Sequence, residues 1–170
     1  MYKVSLAIPI YNVSLFVERA LLSVLNQTYD NIEYLIVDDK GQDDSMDIVH
    51  RIIKDHPRGK DVRIIEHPYN IGLGATRNTA IDNAQGEYLF FMDSDDEIIP
   101  TCIEILVHKM QEHPVDFIAA SHMKKDLSGK TYPTYTYSPI LIQGDDLPVA
   151  QYRYAQNNDI YVMSWNKLYN

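Results

Sequence analysis

The stretch Glu87-Tyr88-Leu89-Phe90-Phe91-Met92-Asp93-Ser94-Asp95-Asp96 decides how the rest of the chain is read. Glu87 to Met92 predicts a strand, apolar from Tyr88 onward, and the polar Asp93-Ser94-Asp95-Asp96 follows with no spacer. The same pattern recurs upstream. Val4-Ser5-Leu6-Ala7-Ile8 predicts a first buried strand ended by Pro9, and Ile32-Glu33-Tyr34-Leu35-Ile36-Val37 a second that runs into Asp38-Asp39. Val62-Arg63-Ile64-Ile65 is a third, and Val115 to Ala120 a fifth. Helical patterns lie between them. Residues 15–25 carry Val17, Ala20, Leu21, Val24 and Leu25 as a stripe behind Ser14 as N-cap. Residues 45–55 form a second, 74–84 a third stopped by Gly86, and a fourth opens at Pro100 and runs to about 112. This alternation predicts an α/β fold, a parallel or mostly parallel sheet with helices on both faces.

The character changes near residue 121. Residues 122–139 are polar, carry Thr-Tyr repeats and two prolines, and predict a hairpin or loop over the sheet edge. Residues 145–157 predict another helix, and Trp165 with Leu168 reads as a packing stripe rather than a sugar platform. The expected division is 1–121 and 122–170, the second part reading as cut off after Trp165-Asn166-Lys167-Leu168-Tyr169-Asn170.

With 170 residues, 45% of them apolar, the chain can bury a core without a disulfide or metal staple. Lys and Arg number 15 against 24 Asp and Glu, a net charge of −9. That balance argues against a nucleic-acid binder and against docking on anionic lipid through basic charge. It leaves room for a bound polyanion, because a metal ion reverses the local sign. The lone Cys102, among Ile103, Ile105 and Leu106, reads as a buried helical thiol. No signal-peptide pattern and no apolar run of ~18 residues is present, so the expected compartment is the cytoplasm. The histidines at 50, 56, 67, 108, 113 and 122 lack metalloprotease spacing and read as surface or loop residues.

In an open α/β sheet, ligands bind outside the carboxyl ends of the strands, where the strand order reverses. Three strand ends here are polar: Pro9-Ile10-Tyr11-Asn12, Asp38-Asp39 and Asp93-Ser94-Asp95-Asp96. Asp93, Asp95, Asp96 and Glu97 repel one another, a cost that a divalent cation relieves. Magnesium and manganese take oxygen ligands and commonly join one or two carboxylates to substrate phosphates. Such an ion stabilises the charge that a diphosphate gains as it leaves. Arg77, one turn inside the Gly72-Leu73-Gly74-Ala75-Thr76 entry, is either a further positive charge for that site or half of a surface salt bridge.

Pro9-Ile10-Tyr11-Asn12, Ser23-Val24-Leu25-Asn26-Gln27-Thr28-Tyr29, Val37-Asp38-Asp39, Asn70-Ile71-Gly72-Leu73-Gly74-Ala75-Thr76-Arg77-Asn78, Gly86-Glu87-Tyr88 and Phe91-Met92-Asp93-Ser94-Asp95-Asp96 occur in that order. The series resembles family 2 glycosyltransferases with the Rossmann-like GT-A fold, over about residues 3–120. Trp165-Asn166-Lys167-Leu168-Tyr169 is similar to a further family element, near where the acceptor-side half begins. The resemblance implies a nucleotide-sugar donor, usually a UDP-sugar, with Mn²⁺ or Mg²⁺ and usually inversion at the anomeric centre. It implies a glycan or lipid-linked acceptor, as in cell-surface polysaccharide synthesis, and a full-length enzyme peripheral at the inner membrane face. Pro9, Tyr11 and Asn12 resemble the loop around the base, Asp39 the partner of the uracil ring, and Arg77 a base or phosphate contact. Asp93, with Ser94, resembles the ribose side of the Asp-x-Asp motif, Asp95 the metal ligand, and Asp96 an assistant to either one.

Two departures stand out. Lys40-Gly41-Gln42 follows Asp38-Asp39 where the family often has a small residue and then Ser or Gly. The family's base, often in a Glu-Asp pair, lies after the Trp-Asn-Lys element, whereas Asp145-Asp146 precede it. No residue of this chain is therefore assigned as base, and the chain alone is expected to bind UDP with little or no transfer. A non-catalytic nucleotide-sugar module on the same fold is the alternative. An aspartyl-phosphate phosphotransferase fits less well, because its Asp-x-Asp closes the first strand and is followed by Thr.

Overall fold

The computed structural model describes residues 1–126, 128–135, 142 and 167–170. They fall into two compact units, Met1–Ala119 with Lys167–Asn170, and Ala120–Asn166. The first unit runs β1 (Val4–Ile10), α1 (Val17–Leu25), β2 (Ile32–Asp38), α2 (Ser45–Asp55), a 3-10 turn (Pro57–Asp61), β3 (Val62–Glu66), α3 (Leu73–Asn83), β4 (Tyr88–Phe91), α4 (Cys102–Glu112) and β5 (Phe117–Ala119). The second holds β6 (His122–Lys125) and β7 (Thr131–Tyr135), and the chain returns to the first as β8 (Lys167–Tyr169).

The sheet order is β3-β2-β1-β4-β8-β5. β1 pairs in parallel with β2 and β4, and β2 with β3, while β8 is antiparallel to both its neighbours. The expected α/β architecture with a mostly parallel sheet is therefore present. Central strands of such a sheet are covered on both faces, and β1 and β2 are buried along nearly their whole length. Ala7, Leu35, Val37 and Phe91 pack against Ala80 of α3 on one face. Tyr34, of opposite parity, turns to the other face, where its hydroxyl accepts from Arg58 Nη1 in the turn after α2 at 3.0 Å. Gln27, just past α1, ties that helix to α4 by donating Nε2–H to Ile99 O (2.8 Å) and accepting from Ile103 N–H (3.0 Å).

Several local expectations need correction. Ser14 does not cap α1; its backbone N–H donates to Asp43 at 2.8 Å, and the helix starts from a turn on Val13. Pro9 does not end β1, which continues to Ile10. It lies past the last β4 pairing at Ala7, so its missing N–H breaks no bond on that side. Pro100 precedes α4, whose first residue is Cys102. Gly86 is not the cap of α3; it lies flat on β1, where a Cβ would stand 2.6 Å from Lys3 O and 2.7 Å from Ser5 N. Leu168 is fully buried in a strand and not on a helical stripe. Three residues are too few to show a period, so pairing with β4 and β5 decides their state. Trp165, Asp145-Asp146 and the expected helix at 145–157 lie outside the described residues.

In the second unit, β6 and β7 form the expected hairpin, with a register shift at His122/Met123. Asp126 closes its turn, Oδ1 accepting from Ser128 N–H (2.9 Å) and Lys130 N–H (3.1 Å). Among the described residues no helix is long and apolar enough to cross a membrane.

Candidate functional site

From β1 the chain builds outward through β2 and β3 on one side, then places β4 on the other side of β1. The strand order thus reverses between β1 and β4, and a crevice is expected at their carboxyl ends. Backbone bonds extend the strands towards it. Asp39 N–H donates to Ile10 O (3.0 Å), His67 N–H to Asp38 O (2.9 Å) and Met92 N–H to Ala7 O (3.0 Å).

The β1 and β2 loops are locked together. Asn12 and Lys40 both have left-handed backbones, with φ of 51° and 54°. Asn12 Oδ1 accepts from Gln42 N–H at 2.6 Å, and Gly41 lies so close that a Cβ would stand 2.8 Å from Asn12 N. A left-handed backbone explains why a small residue suits position 40. Lys40 stays there with Nζ bound to Asp38 (3.1 Å) and Glu66 (2.6 Å), which hold its ammonium above its usual range. Tyr11 is exposed at this rim, whereas Pro9 lies inside β1 opposite Val37.

Asp39 is 2% exposed and its oxygens receive four donors. Oδ1 accepts from His67 Nδ1–H (2.8 Å) and Ile71 N–H (2.9 Å), and Oδ2 from Asn70 Nδ2–H (3.0 Å) and Gly72 N–H (2.9 Å). Burial works against the charged form, but the bond from His67 and the two backbone bonds outweigh it and hold the carboxyl below its usual range. His67 is buried, which corrects its reading as a surface residue. The sequence did carry a signal, since His67 stands just past the carboxyl end of β3, as Asp39 and Asp93 stand past β2 and β4.

On the β4 side, Arg77 Nη2–H donates to Asp93 Oδ1 at 2.7 Å. Of the two readings of Arg77, a surface salt bridge does not describe it, because this pair is four-fifths and three-quarters buried. Arg77 Nε is buried with no acceptor among the described residues. The four acids are not a bare cluster. Asp93 is held by Arg77, and Glu97 pairs with Arg19 Nε of α1 at 3.4 Å. Ser94 is buried, while Asp95 and Asp96 face outward. Local desolvation, and then the charges of Asp95 and Asp93, push the Asp96 carboxyl up to about 6.

No group of three or more His, Cys, Asp or Glu that could hold a metal forms among the described residues. Manganese and magnesium seldom need an all-protein cage, since one or two carboxylates and substrate phosphates complete their shell. Asp95 and Asp96, exposed oxygen donors whose mutual repulsion Arg19 only partly offsets, fit that donor set.

The profile of Glycosyl transferase family 2 matches residues 5–167. The chain is 36% identical over 168 residues to the Bacillus subtilis putative glycosyltransferase EpsH, covering 98% of this chain and 46% of that one. It is 37% identical over 129 residues to the Escherichia coli UDP-Glc:alpha-D-GlcNAc-diphosphoundecaprenol beta-1,3-glucosyltransferase WfaP, covering 74% and 49%. The chain therefore spans about half the length of these relatives. In fold it is similar to S. aureus TarS 1-349 in complex with UDP-GlcNAc, with TM-score 0.73 and 24% identity over 98% of this chain and 45% of that one. It is also similar to the Pyrobaculum calidifontis mannosyltransferase PcManGT in complex with GDP-Man and Mn²⁺, with TM-score 0.65 and 23% identity over 70% and 35%. With the family profile matched over residues 5–167 and a 36% identical relative spanning 98% of the chain, the chain belongs to glycosyl transferase family 2.

Proposed function

We propose that this chain is the nucleotide-sugar-binding part of a glycosyltransferase that moves a sugar from a UDP-sugar to an acceptor hydroxyl, with inversion. The observation that carries this reading is Arg77. Its guanidinium is aimed by Asp93 at the point of strand reversal, and its buried Nε–H still lacks an acceptor among the described residues. Buried donors are rarely left unpaired, and a guanidinium held beside the strand reversal offers N–H groups of the kind that bind phosphate or carbonyl oxygens.

In this assignment Pro9, Tyr11 and Asn12 border the base beside Asp39, Asp93 and Ser94 sit on the ribose side, and Arg77 binds the base or a phosphate. Asp95 and Asp96 would hold Mn²⁺ or Mg²⁺, which when bound supplies Lewis-acid stabilisation of the leaving diphosphate. The acidic turn is too negative to receive a diphosphate unaided, which makes binding metal-dependent. No base is assigned within the chain, and residues from 122 onward are proposed to begin the acceptor side. The acceptor is proposed to be lipid-linked, which the diphosphoundecaprenol substrate in the name of the relative WfaP supports, and the full-length enzyme to lie at the inner membrane face.

Titration calorimetry with UDP, with and without Mn²⁺, tests the assignment. Metal-dependent binding that Asp95→Ala removes is the expected result. No binding by a folded sample, or metal-independent binding unaffected by Asp95→Ala, overturns it.

A further inference from the structure

α3 has few apolar residues with which to fix its position. Only Thr76 and Ala80 of the helix are buried, and Leu73 and Ile81 are each half exposed. With so narrow an apolar contact, centred on Ala80, the rotation of the helix needs other bonds to fix it. Here polar bonds hold it at two places. Asp39 receives the N–H groups of Ile71 and Gly72 just before the helix, where Gly72 takes a φ of 88°. About two helical turns on, Thr79 Oγ1 lies 2.9 Å from His67 Nε2. His67 belongs to both anchors, because its Nδ1 binds Asp39 at 2.8 Å.

Proton bookkeeping makes that ring a fixed strut. The Asp39 carboxylate only accepts, so His67 Nδ1 carries a proton. Thr79 Oγ1 then either donates to Nε2 or accepts from it while turning its own proton to Ala75 O at 3.2 Å. In either case both ring nitrogens are bound. Arg77 lies between the two anchors in sequence, and its bond to Asp93 depends on how α3 is rotated about its axis.

We propose that His67 is a positioning residue of the nucleotide-sugar site, acting through Asp39 and Thr79 to set the rotation of α3 and so the placement of Arg77. This deepens the proposed function and rests on it for the ligand, but not for the coupling between His67 and Arg77.

The test follows the Arg77 Nε–H signal by ¹⁵N NMR and UDP–Mn²⁺ affinity by calorimetry, on the whole chain. Thr79→Val and His67→Leu are expected to shift that signal and to weaken binding about tenfold, the size of one lost polar anchor. His67→Asn, which returns a donor near the Nδ1 position, is expected to recover most of both. Glu33→Gln, at the amino ends of the strands, is expected to lower the melting temperature and move neither readout. Folded Thr79→Val or His67→Asn chains with an unmoved Arg77 signal in the first and no recovery in the second overturn the proposal, as does Glu33→Gln shifting the Arg77 signal equally. If wild type binds no UDP, the functional assignment falls while the Arg77 signal still decides this one.

Discussion

Arg77 of α3 donates through Nη2–H to Asp93 Oδ1 over 2.7 Å, joining the helix after β3 to the turn after β4. Both side chains are mostly withdrawn from water, so screening is limited. A double-mutant cycle of Arg77→Ala and Asp93→Asn is expected to give a coupling on the order of 1 kcal/mol in urea unfolding. Each single change is expected to weaken UDP–Mn²⁺ binding by about tenfold or more, since truncating one partner leaves the other charge misplaced. Full affinity in Arg77→Ala would remove it from the site.

The Asp96 carboxyl makes the metal-free chain sensitive to pH in an unusual direction. Its folded value of about 6 lies above the ordinary 3.8. Its stabilising contribution is therefore whole below 3.8 and lost as the pH rises through about 6. Without metal, differential scanning fluorimetry should show this contribution declining as the pH rises from 3.8 to about 6, and Asp96→Asn should remove that part of the slope. Mn²⁺ added at the higher pH should restore the melting temperature of wild type more than that of the variant.

Asp43 behaves in the opposite sense. Burial pushes its carboxyl up, but bonds from the Ser45 hydroxyl and from the backbone of Ser14 and Ser45 prevail and hold it at about 2. Its contribution is present above 3.8 and lost as the pH falls through about 2. Asp43→Ala is expected to cost about 1–3 kcal/mol at neutral pH, because two loops lose their shared acceptor. Chemical denaturation of both chains at pH 7 and pH 2.5 checks this, with the gap narrowing at the lower pH.

Gly41→Ala is expected to damage the nucleotide site more than the fold. The added methyl would stand 2.8 Å from Asn12 N and 2.9 Å from its Oδ1, so the Asn12–Gln42 bond must open. Weakened UDP binding with a melting temperature close to wild type is the outcome sought by calorimetry and fluorimetry together.

Cys102 is expected to be unreactive. Burial pushes its thiol up to about 11, leaving little thiolate at neutral pH. A thiol reagent at pH 7.4 should label it slowly in the folded chain and rapidly in urea.

The parallel core was legible because β1, β2 and β4 are largely buried and read as near-continuous apolar runs, interrupted near their starts only by Ser5 and Glu33. Asp39, Arg77 and the Asp93–Asp96 turn were legible for a related reason, since polar residues directly after such runs fall at the strands' carboxyl ends. What escaped was set by partners distant in sequence. The state of Lys167–Tyr169 depends on β4 and β5, and the burial of His67 on Asp39 and Thr79. The pairing of Glu97 with Arg19 was equally invisible, so the acidic turn looked more bare than it is.

The insertion of β8 bears on how the protein is made. Leu89 of β4 pairs with Tyr169, so every residue of the Ala120–Asn166 unit leaves the ribosome before that edge of β4 can be closed. At about 5–20 residues per second, the half-built sheet waits for several seconds with an open, apolar edge. The arrival of Leu168, which pairs with Phe90, ends that interval.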